Sequence, residues 1–291
     1  MTERRGLDTF GAASLIGFAA LLAINQVVIK LTSDGLAPVF QAGLRSAGAV
    51  LIVLGWMWIR KIRFEVPRKA LIWGILSGCL FAYEFICLYI ALDLTTVSRA
   101  SIMFYSMPVW LALSAHFLIP GERLTPLRIL GLTLAMGGVV LALVDRSNGQ
   151  ASLAGDLLAL IGALGWAGIA LLVRATPLSQ VTPVVQLIFQ VAVSAPILLI
   201  AAPFFGDLMR GPQPVHWLGL LFQTVVVASL GFLFWFWLMK IYRAGTVASF
   251  SFLSPVFAVI FGWLLLGEQI ALSVWIALAL VAVGITLINR K

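Results

Sequence analysis

The sequence predicts an all-α membrane protein with ten transmembrane helices, arranged as two inverted five-helix repeats. Three observations predict this. Of 291 residues, 62% are hydrophobic and 10% are charged. About a quarter of a soluble domain is charged, so this chain lacks the polar surface to face water. Apolar runs long enough to cross a bilayer core, about 18 residues or more, recur from end to end and are continuous, unlike the short alternating strands of a membrane barrel. Finally, a series of Pro, Gly and Glu signals in the first half returns in the same order in the second.

The elements follow the apolar runs. The first span, 10–30, begins after a basic segment and resembles a leader peptide, but it runs to Ile29 without a convincing cleavage site. It reads as a retained helix. The second span, 36–59, carries Arg45, and the third, 70–92, carries Glu84. The third also holds Gly74-x-x-x-Gly78, a pattern that permits close helix approach. Its Cys79 and Cys87 are about 12 Å apart along a helix, too far for a disulfide, and read as packing residues. Spans 97–118 and 125–145 complete the first unit, 1–148. Spans 155–174, 181–203, 216–239, 245–266 and 270–289 make the second, 149–291. The longest connections, 60–69 and 145–155, are only loops.

A net charge of +8 does not mark a nucleic-acid partner, because the cations sit in short clusters between apolar runs. With the N-terminus cytoplasmic, fourteen Lys and Arg fall on the cytoplasmic side and four, Lys30, Arg99, Arg146 and Arg210, on the other, with Arg45 inside a span. This bias places both termini in the cytoplasm, as expected for a bacterial inner-membrane protein.

The repeat rests on spacing. The fifteen residues from Pro38 match those from Pro183 at five positions, including Gln41 and Gln186. Pro108 precedes Gly121-Glu122, and Pro255 precedes Gly267-Glu268. Gly131 and Gly138 follow Glu122 by nine and sixteen residues; Ala277 and Gly284 follow Glu268 by the same steps. Five spans per unit is an odd number, so the second copy enters the membrane from the opposite face, an architecture of secondary transporters.

These motifs resemble the drug/metabolite transporter superfamily with two EamA-type domains. The residues that carry the resemblance are Pro108, Gly121-Glu122, Gly131 and Gly138, then Pro255, Gly267-Glu268 and Gly284, with Ala277 where a glycine is expected. Within it the chain is most similar to the YddG-type aromatic amino acid exporters. The resemblance implies a carrier of small metabolites with a central cavity between the halves.

Ionisable residues inside a membrane mark functional candidates. Arg45 and Glu84 both lie roughly 12–14 Å below one surface at 1.5 Å per residue. Three readings stand side by side: a structural ion pair, a site facing a zwitterionic substrate, and a proton-coupling group at Glu84. Tyr83, Tyr105, Trp166 and Trp235 are candidate cavity walls, and Asn25, Gln41, Gln186 and Ser251 are candidate polar contacts. Trp56, Trp58, Trp73 and Trp217 sit near span ends and read as interface anchors. Pro108 and Pro255, mid-span in matching positions, are candidate gating kinks.

No phosphate loop, metal-ligand spacing or nucleophile with its base stands in the sequence, so no enzyme, metal or cofactor is expected. The expected partners are a small-molecule substrate such as an amino acid, the lipid bilayer and a coupling proton, with the chain itself a monomer. The expected function is export of aromatic or other large apolar amino acids by alternating access. A carrier of drugs or of sugar or nucleotide conjugates is the alternative, and a membrane-embedded transferase the distant one.

Overall fold

The computed structural model describes residues 8–145, 151–242 and 250–289, with Ser251 and Asn289 described by backbone alone. The described residues form helices joined by short turns, with one isolated bridge between Leu36 and Met209. Eight helical stretches are long and apolar enough to span a bilayer. They are α1 (Thr9–Ser33), α2 (Pro38–Ile59), α3 (Arg68–Leu94), the pair α4 (Val97–Phe104) and α5 (Met107–Leu118), α6 (Pro126–Val144), α7 (Leu153–Ala175), the stretch that begins with α8 (Pro183–Ala201), and Pro214–Ile241. The last contains α9 (Pro214–Leu221), a π-helical segment over Phe222–Gly231, and α10 (Phe232–Ile241). Two shorter apolar helices follow, α11 (Leu253–Leu266) and α12 (Leu272–Asn289). The start of the predicted ninth span, 245–249, lies outside the described residues.

Local chemistry sets the helix starts. Asp8, Thr96, Thr125 and Ser152 each accept a hydrogen bond from a backbone N–H of the first turn, satisfying donors that have no intrahelical partner. Prolines open α2, α6, α8 and α9, where a missing N–H costs nothing. The same logic governs the two expected kinks. Pro108 stands in the first turn of α5, after the chain breaks at Tyr105–Ser106. Pro255 stands in the first turn of α11, after a 3-10 turn over Phe250–Phe252. Each marks a helix restart rather than a bend within a continuous helix.

Small residues allow the closest contacts. A Cβ on Gly78 would lie 2.5 Å from the Phe189 carbonyl, and one on Gly74 2.8 Å from the Phe189 ring, so α3 lies directly against α8. On α6, a Cβ on Gly131 would meet the Gly284 carbonyl at 2.7 Å, and one on Gly138 the Ala277 carbonyl at 2.6 Å. Such contacts tolerate no side chain, which makes the α6–α12 seam a glycine-dependent one. Cys87 is buried as expected, but Cys79 is exposed on the outer side of α3.

One end of the molecule is tied by polar bonds that join distant segments. Lys30 donates to the Leu92 and Thr95 carbonyls at 2.8 and 2.7 Å. Arg99 is buried against Asp156, with Nη2 2.7 Å from Oδ2, and also donates to the Asp145 and Ala142 carbonyls. Glu268 accepts from the Val97 and Ser98 backbone N–H groups and from the Ser98 hydroxyl, at 2.6, 3.1 and 2.5 Å. Arg210 pairs with Asp93 at 2.9 Å. Sequence reading placed Lys30, Arg99 and Arg210 among the cations of one face and assigned them no partners.

The corner after α2 has a distinct shape. Lys61 N–H bonds the Trp58 carbonyl and Ile62 N–H the Met57 carbonyl, the two bonds of a Schellman helix end. That motif places Lys61 in the left-handed region, at φ 51°, where a residue with a Cβ is disfavoured by roughly 1–2 kcal/mol.

Candidate functional site

The site is assembled from α3 outward. Phe81, Glu84, Phe85 and Leu88 recur at helical spacing and share one face of α3. That face borders an apolar cavity of about 270 Å³, closed in by α1, α2, α4, α7, α8, α10 and α11 and by the π segment. Arg45 enters it from α2 and Asn25 and Gln26 from α1. Gln186 and Gln190 enter from α8, and Ser254 from the first turn of α11.

Two aromatic groups form walls. Trp166 stacks on Phe104 with centroids 5.0 Å apart and meets Tyr105 edge-on at 5.7 Å. Trp235 stacks on Phe18 at 4.7 Å. Both walls join a helix of the first half to one of the second. The break between α4 and α5 is what presents Tyr105 here.

Arg45 is 1% exposed, and its guanidinium lies 3.9 Å from the Phe85 ring centroid, 5.5 Å from Tyr89 and 5.8 Å from Phe81. Phe81, Phe85 and Tyr89 are one helical step of four apart, so they make a ladder under the cation. A desolvated cation–π contact is worth about 2 kcal/mol. This does not satisfy the hydrogen-bond donors. Nε and Nη2 of Arg45 are buried without a protein partner, as are Oε2 of Glu84 and Oδ1 of Asn25. Among the described residues, the ion pairs formed within 4.0 Å do not include Arg45 with Glu84. The two charges share a cavity and are not joined in a salt bridge.

Of the residues singled out from sequence, Asn25, Arg45, Glu84, Tyr105, Trp166, Gln186 and Trp235 line this cavity. The Gln186 amide nitrogen donates to the carbonyls of Leu178 and Val181, at 2.9 and 2.8 Å. Gln41 does not line it: fully buried, it donates to the Ile29 carbonyl and the Ser33 hydroxyl. Tyr83 does not line it either, being 46% exposed on the outer side of α3. The Ser251 side chain lies outside the described residues. Phe18, Phe81, Phe85, Phe104 and Ser254 line the cavity and were not singled out from sequence. The spacing of Phe81, Phe85 and Tyr89 around Glu84 was the available signal.

Two stretches of the chain, 9–144 and 153–290, each match the EamA-like transporter family. The chain belongs to that family. As an EamA-like transporter it is an integral membrane protein of helices, and small molecules are what the family carries. It is 24% identical over 282 residues to the uncharacterized transporter YoaV of Bacillus subtilis, a match covering 93% of this chain and 94% of that one. It is 32% identical over 142 residues to the aromatic amino acid exporter YddG of Ancylobacter novellus, covering 47% of this chain and 48% of that one. A solved crystal structure superposes over 95% of this chain and 97% of its own with a TM-score of 0.65 at 22% identity, a likeness of fold.

Proposed function

We propose that this EamA-like transporter exports amino acids with aromatic or other large apolar side chains, by alternating access around the cavity. The observation that carries the proposal is a buried Arg45 and a buried Glu84, each with atoms that no protein group partners, inside one aromatic-walled cavity. Polar atoms left in this condition are costly until an occupant satisfies them. An amino acid has matching ends: a carboxylate for the guanidinium and an ammonium for the carboxylate. Its side chain would lie against the Phe104–Trp166 or Phe18–Trp235 wall. About 270 Å³ lies just under the usual 300–1,000 Å³ of drug-sized sites, which suits one small metabolite. The name of the YddG relative, matched over about half of this chain, points the same way.

In this reading the units 1–148 and 149–291 are inverted repeats. The α6–α12 seam supports it. Gly131 corresponds to Ala277 and Gly138 to Gly284 in the repeat, yet Gly131 faces Gly284 and Gly138 faces Ala277. Each of the two glycines meets the other's counterpart, as a self-complementary twofold contact requires. The restarts at Pro108 and Pro255 are then pivots of the moving gates. The cation bias supports cytoplasmic termini in a bacterial inner membrane, and Glu84 is the candidate for proton coupling.

The test is uptake of labelled Trp, Phe, Leu and Asp by proteoliposomes, with and without a pH gradient. Trp and Phe should be carried best, and Asp excluded. Arg45→Gln should lower the rate for Trp about 10- to 100-fold, the loss expected for a hydrogen bond to a charged group, with folded yield retained. Failure of every amino acid would end the substrate proposal; an unchanged rate across the gradient would end proton coupling.

A further inference from the structure

We propose that the corner between α2 and α3 binds the headgroup of an anionic phospholipid. The segment from Arg60 to Lys69 carries five cations, Arg60, Lys61, Arg63, Arg68 and Lys69, against one carboxylate, Glu65. All five cations are exposed. The one ion pair within the segment, Arg63 with Glu65 at 4.0 Å, joins side chains 87% and 77% exposed, so it neutralises little. Polybasic corners beside a membrane helix attract anionic lipid.

The corner is also built to hold its cations at one depth. Trp58 and Ile59 are exposed at the end of α2, and Arg60 lies 5.5 Å from the ring of Trp56. Indole rings at this position mark the interface. The loop itself is anchored, with Ile62 and Val66 packed on the core and the Phe64 ring 5.7 Å from Phe189. Met57, Trp58, Ile59, Lys61, Ile62 and Arg63 enclose a shallow cleft. Its walls are apolar toward the helix and cationic toward the loop, the two chemistries of a lipid's acyl root and its phosphodiester.

Lys61 supplies the independent observation. It occupies the left-handed position of the Schellman end, where glycine relieves strain and is the usual residue. A lysine there recovers less from the helix dipole than the left-handed conformation costs, and it adds a charge on the cleft. Backbone strain retained at an exposed position points to function.

Binding can be read by native mass spectrometry of the full-length protein in neutral micelles. Phosphatidylglycerol is titrated against phosphatidylcholine of the same acyl chains. Phosphatidylglycerol should bind more tightly, and less so as salt rises. The double variant K61G/R63Q should weaken it about 25-fold, about five-fold per cation, and leave phosphatidylcholine unchanged. The variant R123Q/R128Q, at another basic corner, should leave phosphatidylglycerol bound as before. K61G alone should raise the lipid-free melting temperature while lowering phosphatidylglycerol affinity about five-fold.

Equal binding of the two lipids would overturn the proposal, as would an equal loss in R123Q/R128Q. Displacement of phosphatidylglycerol by inorganic phosphate would make this a free-anion site and overturn it too. A lower melting temperature in K61G would remove the argument from strain. None of these results depends on which metabolite is carried.

Discussion

Glu268 is 4% exposed and holds the first turn of α4 through three hydrogen bonds. Glu122 follows the same kind of glycine at the end of α5, yet its side chain is 39% exposed and pairs with Arg174 at 3.2 Å. Both glycines have positive φ, Gly267 at 64° and Gly121 at 88°, but Gly267 caps its helix directly, whereas Gly121 follows Ile119 and Pro120 in the turn after α5. Glycine turns the chain at the helix end, and the Glu268 carboxylate swings back over α11 beside Gly262. What differs is the target within reach. At one end of the molecule a helix N-terminus accepts the carboxylate, whose charge suits the four unpaired N–H groups there. At the other, Glu122 meets an exposed cation. The comparison separates a sealed end from a looser one. The cavity agrees: on α1 its lining runs from Gln26 back to Leu15, away from the end tied by Lys30. In the alternating access proposed above, this conformation would be the one closed at the Glu268 end.

The largest effect that can break this comparison lies at Arg99. Its pair with Asp156 is buried on both sides, so Arg99→Ala strips a buried carboxylate of this guanidinium while leaving its Thr95 hydrogen bond, at a cost of about 3–5 kcal/mol. Arg174→Ala, at the looser end, should cost about 0–1 kcal/mol. Thermal unfolding of the two variants in the same detergent checks this, and equal shifts would abolish the distinction between the ends.

A smaller effect belongs to Glu268→Gln. The amide keeps one acceptor oxygen but turns its NH₂ toward a backbone donor, either the Val97 N–H or the Ser98 N–H, and only the Ser98 hydroxyl could accept from it. Loss of a charge-assisted bond costs about 1.5–3 kcal/mol. If sealing is also functional, this variant should exchange its cavity to the Glu268 side more readily, read as faster thiol labelling of Gln26→Cys in a background lacking Cys79 and Cys87. Unchanged labelling with a lowered melting temperature would reduce Glu268 to a structural cap.

Much of this was legible in the chain. Apolar length alone placed the eight helical stretches long enough to span a bilayer, because a bilayer fixes how many residues a helix needs. Depth counting brought Arg45 and Glu84 to one cavity, since rise per residue is the same in both helices. The rotation of a helix was harder to see. Tyr83 is two residues from both Phe81 and Phe85, about 200° around α3, so it points away from the face they share with Glu84 and Leu88; that spacing holds the information, and an inventory of aromatic residues does not. Gln41 went astray for another reason: an amide near a helix start can serve the backbone of the preceding turn as readily as a ligand. The pairs Arg99–Asp156 and Glu268–Ser98 join residues 57 and 170 positions apart. No local pattern announces them. The π segment at Phe222–Gly231 is equally silent, since its apolar sequence suits an α-helix as well, and only packing selects the wider turn.

The smallest effect sharpens the comparison most. Glu122→Gln removes one partner of an exposed pair, whose side chains are 39% and 50% exposed. Water and salt already screen such a pair, so its loss should cost about 0–1 kcal/mol, and less in high salt. Measured beside Glu268→Gln, this gives two identical chemical changes, each after a left-handed glycine at the end of a corresponding helix. The chemical change is the same, so a difference between them reads out the surroundings: burial, the hydrogen-bond target, and the Pro120 that precedes one glycine where Leu266 precedes the other. A Glu122→Gln loss that matched that of Glu268→Gln, and persisted in high salt, would mean that Glu122 spends its time in a sealed arrangement of its own, and that the molecule in solution dwells in the opposite conformation.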